Sequence, residues 1–207
     1  MHGAQPLTFA TTTSMAQMLD KSPQPEPASD GLLVVRCQAR DELAFRELVR
    51  RWEPRLYYYL RRMIEDESAV WDVLQNTWLA VFRHLPRLED ARKFPGWLYR
   101  IAHDQAVNWL QKEKRYVCQP DEQLESLAEC EDSLSNPTED AALIHQALST
   151  LSPPHREALT LFYLEGFSLL QIANIVGLPE GTIKSRLHQA RKNLAKTLKE
   201  VGHERIR

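Results

Sequence analysis

Residues 168–191 read SLLQIANIVGLPEGTIKSRLHQAR, and this stretch decides the fold of the C-terminal part of the chain. Its apolar residues from Leu170 to Val176 recur at helical spacing and predict a short amphipathic helix. Gly177 tolerates a positive φ and Pro179 cannot continue a helix, so the first helix is predicted to end there. A second helix follows this tight turn, and the arrangement is typical of a helix-turn-helix.

The second predicted helix has one apolar and one polar face. Its apolar residues step by three or four: Ile183, Leu187, Ala190, Leu194 and Leu198. The other side carries cationic, hydroxyl and amide groups: Lys184, Ser185, His188, Gln189 and Lys192. Residues 168–207 hold eight Lys or Arg against three Glu, a net charge of plus five. This face suits base edges and phosphates in a major groove; the alternative is an exposed helix whose cations only face water.

Overall composition sets broad limits. The 207 residues are 43% hydrophobic and include five Trp, which is ample for one packed domain or two small ones. A net charge of -2 does not indicate nucleic-acid binding, so that role depends on how charge is segregated along the chain. No segment approaches the roughly 20 apolar residues of a membrane span, and no signal peptide is recognisable. We therefore expect a cytoplasmic protein with no membrane contact.

The three cysteines indicate neither a disulfide framework nor a zinc site. Cys37, Cys118 and Cys130 form no CxxC pair and have no nearby histidine in metal-ligand spacing. For Cys118 and Cys130 the sequence leaves two readings, an ordinary thiol or a redox sensor.

The first half of the chain changes from a polar leader to helices. Residues 1–29 are rich in Thr, Ser, Gln and Pro and are predicted to be a disordered leader. Residues 31–63 have helical hydrophobic spacing, and Pro54 is predicted to kink or divide that helix. A further helix is predicted over 67–85. Its polar side carries four candidates for contact with another protein: Asp72, Gln75, Asn76 and Leu79.

A third helix, over 96–115, follows the loop PRLEDARKFP. Arg100, Asp104 and Asn108 recur at every fourth residue and form one polar strip along it. Aromatic residues at helical spacing usually belong to a core. Beside cations they can instead stack on unpaired bases, and three have this second reading: Phe94, Trp97 and Tyr99.

Residues 116–140 hold eight acidic residues and no Lys or Arg, which predicts a solvated linker. Its acidity either keeps it soluble or shields the basic parts of the chain when no DNA is bound. Two helices, over 141–151 and 154–165, then lead into the helix-turn-helix. The predicted fold is all-α, with two small helical domains, over 30–115 and 141–207, joined by a flexible acidic linker.

Nothing in the sequence indicates catalysis. There is no GxxxxGK, HExxH or GxSxG motif, and seven Gly in the whole chain leave little for a nucleotide-binding loop. The histidines are scattered without metal-ligand spacing. We expect no enzyme, no cofactor and no metal.

Three blocks of sequence resemble one known family. They are DVLQNTWLAVFRHL (72–85), FPGWLYRIAHDQAVNWLQKEKR (94–115) and LSPPHREALTLFYLEGFSLLQIANIVGLPEGTIKSRLHQARKNL (151–194). In this order, with a variable acidic segment between them, they resemble bacterial sigma factors of the sigma-70 family, in the extracytoplasmic-function (ECF) group. The resemblance spans about residues 31–198. It implies a dissociable, non-catalytic subunit that brings core RNA polymerase to promoter DNA and helps to open it.

The resemblance assigns roles to the first domain. Asp72, Gln75, Asn76 and Leu79 fall on the helix that binds the polymerase largest subunit, with Asn76 where the family usually has an acid. The loop 86–95 resembles the one that captures a flipped base of the minus-10 element. The residues implied to contact minus-10 DNA are Phe94, Trp97, Arg100, Asp104 and Asn108. Family members commonly have Asn at position 104, so Asp104 either changes the minus-10 preference or pairs with Arg100.

In the C-terminal domain the resemblance implies contacts with the minus-35 element. The residues concerned are Thr182, Lys184, Ser185, Arg186, His188, Gln189 and Arg191, with the two arginines nearer the DNA backbone. Many relatives have Arg at position 189, and Gln favours adenine over guanine. An anti-sigma factor is a possible further partner. Two alternatives remain: a helix-turn-helix regulator that acts without the polymerase, and a protein-binding mimic of a sigma factor that titrates an inhibitor.

Overall fold

The computed structural model describes residues 29–117 and 147–204, and every regular element in these two segments is helical. The segment 29–117, called the N-terminal unit, contains α1 (Asp30–Gln38), α2 (Glu42–Arg61), α3 (Glu67–His84) and α4 (Phe94–Val117). The segment 147–204, called the C-terminal unit, contains α5 (Pro153–Leu159), α6 (Leu169–Val176) and α7 (Glu180–Glu204). The predicted all-α class is confirmed. The predicted leader before Ser29, the acidic segment after Val117, Cys118 and Cys130 lie outside the described residues.

The predicted helix over 31–63 is interrupted at Arg40 instead of Pro54. Arg40 has a φ of 64°, in the left-handed region, and lies between α1 and α2. Asp41 then caps α2 by accepting hydrogen bonds from two backbone N–H groups of its first turn. Pro54 lies inside α2 on an exposed side, so the prediction that it divides the helix is wrong. The missing proline N–H removes one helical hydrogen bond without ending the helix.

The core of the N-terminal unit lies between α2, α3 and α4. Its leucines are at most 1% exposed: Leu48, Leu56, Leu60, Leu74 and Leu98. Aromatic rings extend this core, since Trp52 meets Phe94 edge to face with ring centroids 5.9 Å apart. Tyr59 meets Tyr99 in the same way at 5.1 Å. These contacts fix the start of α4 against α2 and determine which side of α4 is left for other contacts.

The C-terminal unit contains the predicted helix-turn-helix. Ser168 and Gln171 form a capping box at the start of α6, in which each side chain accepts from the other residue's backbone N–H. Gly177, with a φ of 72°, ends α6, and α7 begins three residues later. Ile172 of α6 and Ile183 of α7 are both 0% exposed and form part of the core. The sequence prediction for 168–191 is confirmed.

The helix predicted over 154–165 changes character half-way. After α5 the backbone continues as a π-helical turn over Thr160–Leu164. The Thr160 hydroxyl donates to the Arg156 carbonyl at 2.9 Å, and the same carbonyl also accepts from the Thr160 backbone N–H. Turns of this kind frequently occur at functional sites, and this one leaves Tyr163 and Leu164 about half exposed, at 58% and 48%.

The two units pack against each other, mainly through α4 and α6. Phe167, just before α6, meets Tyr99 of α4 with ring centroids 5.1 Å apart. The buried residues of both units form one continuous cluster. Sequence reasoning predicts two domains and a linker but does not predict this contact. Among the described helices, none combines the length and apolar character that crossing a membrane requires.

Candidate nucleic-acid and protein interfaces

The polar face of α7 carries the residues predicted to contact minus-35 DNA. Six of them are exposed and Arg186 is half-buried; the six are Thr182, Lys184, Ser185, His188, Gln189 and Arg191. Ile183, Leu187 and Ala190 are at most 2% exposed and point inward. At 100° per residue, Ser185, His188 and Gln189 lie opposite that buried stripe, and Arg186 and Arg191 lie on its two flanks. We call these seven residues the α7 face; its centre offers hydroxyl, imidazole and amide groups, and its edges offer cations.

The polar side of α3 presents a second exposed group. Asp72, Gln75, Asn76 and Leu79, together called the α3 face, are all exposed, and Leu79 is 52% exposed. The opposite side of the helix is buried against α2 and α4, with Val70, Leu74 and Val81 at most 1% exposed. An exposed leucine beside a carboxylate and two amides is a surface suited to another protein.

The predicted minus-10 residues on α4 divide into exposed and buried groups. Trp97 is half-buried, and Arg100, Asp104 and Asn108 are exposed; these four form the α4 face. Phe94 is 0% exposed and packs on Trp52, so the prediction that it contacts DNA is wrong for this structure. The stacking alternative for Tyr99 is wrong for the same reason, since Tyr99 is also 0% exposed. Both rings complete the core between α2 and α4, and burial raises the pKa of Tyr99 well above its ordinary value.

The distance between Asp104 and Arg100 bears on whether Asp104 pairs with Arg100 or is left to contact DNA. The Arg100 Nε and the Asp104 Oδ2 are 3.9 Å apart, and the two side chains are 51% and 55% exposed. A pair this long and this exposed contributes little, so the carboxylate keeps most of its accepting capacity. The Arg100 guanidinium also donates to the main-chain carbonyl of Asn174 in α6. Asp104 therefore remains available to a donor outside the protein.

The loop before α4 presents cations next to the α4 face. It contains two 3-10 turns, Leu85–Arg87 and Ala91–Lys93. Asp90 caps the second turn by accepting from the Arg92 backbone N–H at 3.0 Å. The hydrogen bonds from the Arg92 side chain and backbone lower the pKa of the Asp90 carboxyl. Arg87, Arg92 and Lys93 are exposed, so this loop attracts phosphate.

Comparison with known proteins decides the family. Residues 48–116 match the family model for sigma-70 region 2, and residues 141–194 match the model for sigma-70 region 4. The ECF RNA polymerase sigma factor SigL of Mycobacterium tuberculosis is 34% identical over 149 residues, covering 71% of this chain and 84% of SigL. The RNA polymerase sigma-H factor of Pseudomonas aeruginosa is 30% identical over 187 residues, covering 84% of this chain and 96% of that factor.

The chain belongs to the ECF group of the sigma-70 family. Solved structures agree with this sigma-factor assignment. The sigma factor RpoE, in complex with the anti-sigma factor NepR from Bartonella quintana, is 27% identical with a TM-score of 0.63. That comparison covers 75% of this sigma factor and 96% of RpoE. CnrH, solved with the cytosolic domain of CnrY, shares the fold with a TM-score of 0.60 at 23% identity.

Sequence reasoning missed two exposed residues of this sigma factor beside the α3 face. Phe82 is 65% exposed, and Arg83 is exposed next to it. Phe82 meets Phe45 edge to face at 5.4 Å, at the edge of a groove of about 570 Å³ between α3 and the turn after α1. The signal was present, since Phe82 follows Leu79 by three residues and lies off the buried stripe of α3.

A second feature missed in the sequence connects α7 to the π-helical turn. The Arg191 guanidinium carbon lies 5.4 Å from the ring centroids of both Phe162 and Tyr163. These rings meet edge to face at 5.0 Å. Cation–π contact orients Arg191 towards the π-helical turn, at the flank of the α7 face. This position suits a contact with the DNA backbone better than one with a base edge.

Proposed function

We propose that this sigma factor binds core RNA polymerase through the α3 face and contacts promoter DNA through the α4 and α7 faces. A sigma factor directs RNA polymerase to promoters, and membership of the family brings that function to this chain. The residue roles are our assignment. The α7 face reads the minus-35 element, and the α4 face with its cationic loop engages the minus-10 element.

One observation carries the DNA part of the proposal. One side of α7 is buried, with Ile183, Leu187 and Ala190 at most 2% exposed. The other side of the helix carries exposed hydroxyl, imidazole, amide and ammonium groups on successive turns. A helix with this polarity fits the major groove, where donors and acceptors on base edges distinguish all four base pairs. The α7 face has its polar groups near the helix N-terminus, which is the part that enters the groove in helix-turn-helix proteins.

Each DNA surface is small, so the proposal requires the polymerase as a platform. A few cationic contacts give weak, salt-sensitive binding at physiological ionic strength. Holding both DNA surfaces on one polymerase turns the second contact into an intramolecular event with a high effective concentration. The α3 face supplies that attachment, since Asp72, Gln75 and Leu79 offer charge, hydrogen bonding and apolar area on one side of one helix.

Promoter opening follows from the α4 face without a catalytic step in this chain. Unpairing and unstacking a base costs a few kcal/mol. The half-buried Trp97 offers a ring for stacking, and Arg92 and Lys93 of the loop offer charge for the backbone. We assign Asp104 to the amino group of a cytosine, the base-edge donor that a carboxylate accepts from. The chain acts as a non-catalytic specificity subunit in the cytoplasm, where polymerase and promoter DNA meet.

An anti-sigma factor is the further partner that we propose. RpoE, which is similar to this chain over 96% of its length, was solved in complex with the anti-sigma factor NepR. The exposed apolar groups Leu79 and Phe82 are candidates for such a contact, since exposed apolar patches mark interaction sites.

Run-off transcription tests the proposal. Core polymerase would be mixed with the protein and with a library of linear promoter templates, and transcripts would be sequenced. We expect defined start sites that need both the protein and a matched pair of minus-35 and minus-10 elements. Asp72→Arg should abolish them, and the matched charge reversal Glu113→Arg, at an exposed position on the opposite side of α4 from Asn108, should not. Specific DNA binding without transcription would instead identify a regulator that acts without the polymerase.

A further inference from the structure

The π-helical turn after α5 presents two aromatic rings at the surface of the C-terminal unit. The Glu165 backbone N–H donates to the carbonyl of Thr160, five residues earlier, at 3.1 Å, and this bond closes the widened turn. Thr160 and Leu161 are 0% exposed and anchor the turn in the core. Phe162 is half-buried and Tyr163 is 58% exposed. Both rings therefore lie at the surface on a backbone that the core holds in place.

Arg191 of α7 contacts both rings. Its guanidinium carbon is 5.4 Å from each ring centroid, and the two rings support each other edge to face at 5.0 Å. Among the residues that the structure describes, Arg191 makes no hydrogen bond and no ion pair. Cation–π contact restrains a guanidinium without using any of its five N–H donors. The side chain is therefore held in place with its hydrogen-bonding capacity unused.

The position of Arg191 on α7 favours a phosphate over a base as its ligand. α7 begins at Glu180, and Arg191 lies about 16 Å further along the helix axis at 1.5 Å per residue. In helix-turn-helix proteins the N-terminal residues of the second helix contact base edges. Arg191 is also about 80° round the helix from the fully buried Ile183, at the flank of the α7 face. Its charge and its donors therefore face the DNA backbone beside the bases that α7 reads.

An arginine that is already ordered binds a phosphate more tightly than a mobile one. A long side chain loses rotamer freedom when a ligand fixes it, and this loss reduces the affinity. The rings of Phe162 and Tyr163 impose that order on Arg191 before any DNA is bound. The planar guanidinium keeps paired N–H groups that can donate to two phosphate oxygens at once.

We propose that Phe162, Tyr163 and Arg191 form a preorganised binding site for one phosphate of the DNA backbone beside the minus-35 element. Arg191 is the phosphate ligand, and the two rings are positioning residues that act through it. This inference rests on the proposed function for the placement of α7 on DNA, and it adds which side chains prepare a backbone contact. A phosphate contact carries no sequence information, so its role is to fix the register of α7 in the groove.

A double-mutant cycle between Tyr163 and Arg191 tests the site. Full-length protein bound to core polymerase would be titrated with a fluorescent promoter duplex, chosen by run-off transcription, at salt concentrations from roughly 50 to 200 mM. Tyr163→Leu should weaken binding roughly two- to fivefold, the effect of one exposed cation–π contact, and by the same factor on every template. Arg191→Ala should weaken binding further and reduce the salt slope by about one. In the Arg191→Ala protein, adding Tyr163→Leu should not change the Kd again, because the ring acts only through the guanidinium.

Two further variants separate positioning from a general structural effect. Tyr163→Phe removes the hydroxyl and keeps the ring, so it should bind promoter DNA like the unaltered protein. Leu164→Ala changes the next residue of the same turn, which is 48% exposed, and should leave both the Kd and the salt slope unchanged. A loss in Tyr163→Phe or in Leu164→Ala as large as that in Tyr163→Leu would overturn the assignment of the ring.

The same titrations separate this inference from the proposed function. An effect of Tyr163→Leu that is equal with and without Arg191 would overturn the site, and so would unchanged binding by Arg191→Ala, even where Lys184→Ala weakens binding as proposed. Unchanged binding by both Lys184→Ala and Arg191→Ala would also overturn the assignment of the α7 face to DNA. If core polymerase and the protein give no defined start sites, the proposed function fails. The cycle on an arbitrary duplex with the free protein at low salt then still decides the phosphate contact, because such a contact does not depend on sequence.

Discussion

Gln189 donates a hydrogen bond from Nε2 to Oδ1 of Asn193, 3.0 Å away and one turn further along α7. This bond holds the Gln189 amide at the centre of the α7 face, with its oxygen and its second N–H free for a ligand. An adenine offers N6–H and N7 in the matching geometry, whereas a guanine offers two acceptors.

Gln189→Arg should therefore change the minus-35 preference at one position from adenine towards guanine. We expect guanine to be preferred over adenine at that position by about 1–3 kcal/mol, the range for a bidentate base contact. Run-off transcription on templates that differ at single minus-35 positions would measure it. A uniform change on all templates would contradict a base contact and indicate a contact with the DNA backbone.

If Lys184 contacts a base, Lys184→Ala should weaken promoter binding by about 1–3 kcal/mol, and transcription should fall accordingly. The loss should be concentrated on templates with one particular base at one minus-35 position. A phosphate contact would instead weaken all templates equally and reduce the salt slope by about one. Arg50→Ala is the control, because it removes a cation that is 78% exposed and distant from the α7 face in sequence. Unchanged promoter output in Lys184→Ala would contradict its assignment.

Phe94 and Trp97 are expected to respond differently to truncation. Phe94→Ala should cost about 3–5 kcal/mol of folding stability, measured by urea unfolding, because its ring is fully buried against Trp52. Trp97→Ala should cost less stability and slow promoter opening, measured by 2-aminopurine fluorescence in the minus-10 element. The opposite pattern, full stability with lost opening in Phe94→Ala, would restore Phe94 as a DNA contact.

Tyr59 should make the folded protein sensitive to alkali. Burial, followed by the neighbouring Glu157 carboxylate, raises the pKa of Tyr59 well above its ordinary value of 10.0. The pKa of Tyr59 is higher in the folded than in the unfolded protein. Its contribution to the free energy of unfolding is therefore complete below pH 10 and is lost as the pH rises towards the pKa of the folded state. Urea unfolding from pH 8 to pH 11 should show stability falling above pH 10, by up to about 1.4 kcal/mol per pH unit from this residue. Tyr59→Phe should remove that part of the slope; an identical slope in both proteins would contradict the assignment.

The sequence predicted most of the surfaces but not the contacts between distant parts. The α3 and α7 faces were predictable because apolar residues at helical spacing identify the buried side and leave the polar side exposed. The break between α1 and α2 at Arg40 was not predictable, because no sequence signal comparable to that of a proline marks an arginine with a left-handed backbone conformation. Phe94 was ambiguous because an aromatic ring beside cations is compatible with both a core and a base-stacking role.

The hydrogen bonds that Glu157 makes with Tyr59 and His103 show the limit most clearly. In the sequence Glu157 is an ordinary acid of a short helix, and its partners lie 98 and 54 residues earlier. Helical periodicity reports which side of a helix is apolar, and it carries no information on which distant polar groups meet when two units pack. The same reason explains why the contact between Arg100 and Asn174 was not foreseen.

Co-elution with core RNA polymerase would show whether the protein binds the polymerase through the α3 face. The protein and an Asp72→Arg, Gln75→Ala double variant would each be mixed with bacterial core enzyme and separated by size exclusion, with Glu113→Arg as the control. We expect the unaltered protein and the control to elute with the polymerase, and the double variant to elute alone with its fold intact by circular dichroism. Failure of the unaltered protein to join the core, under conditions where a known sigma factor does, would contradict it.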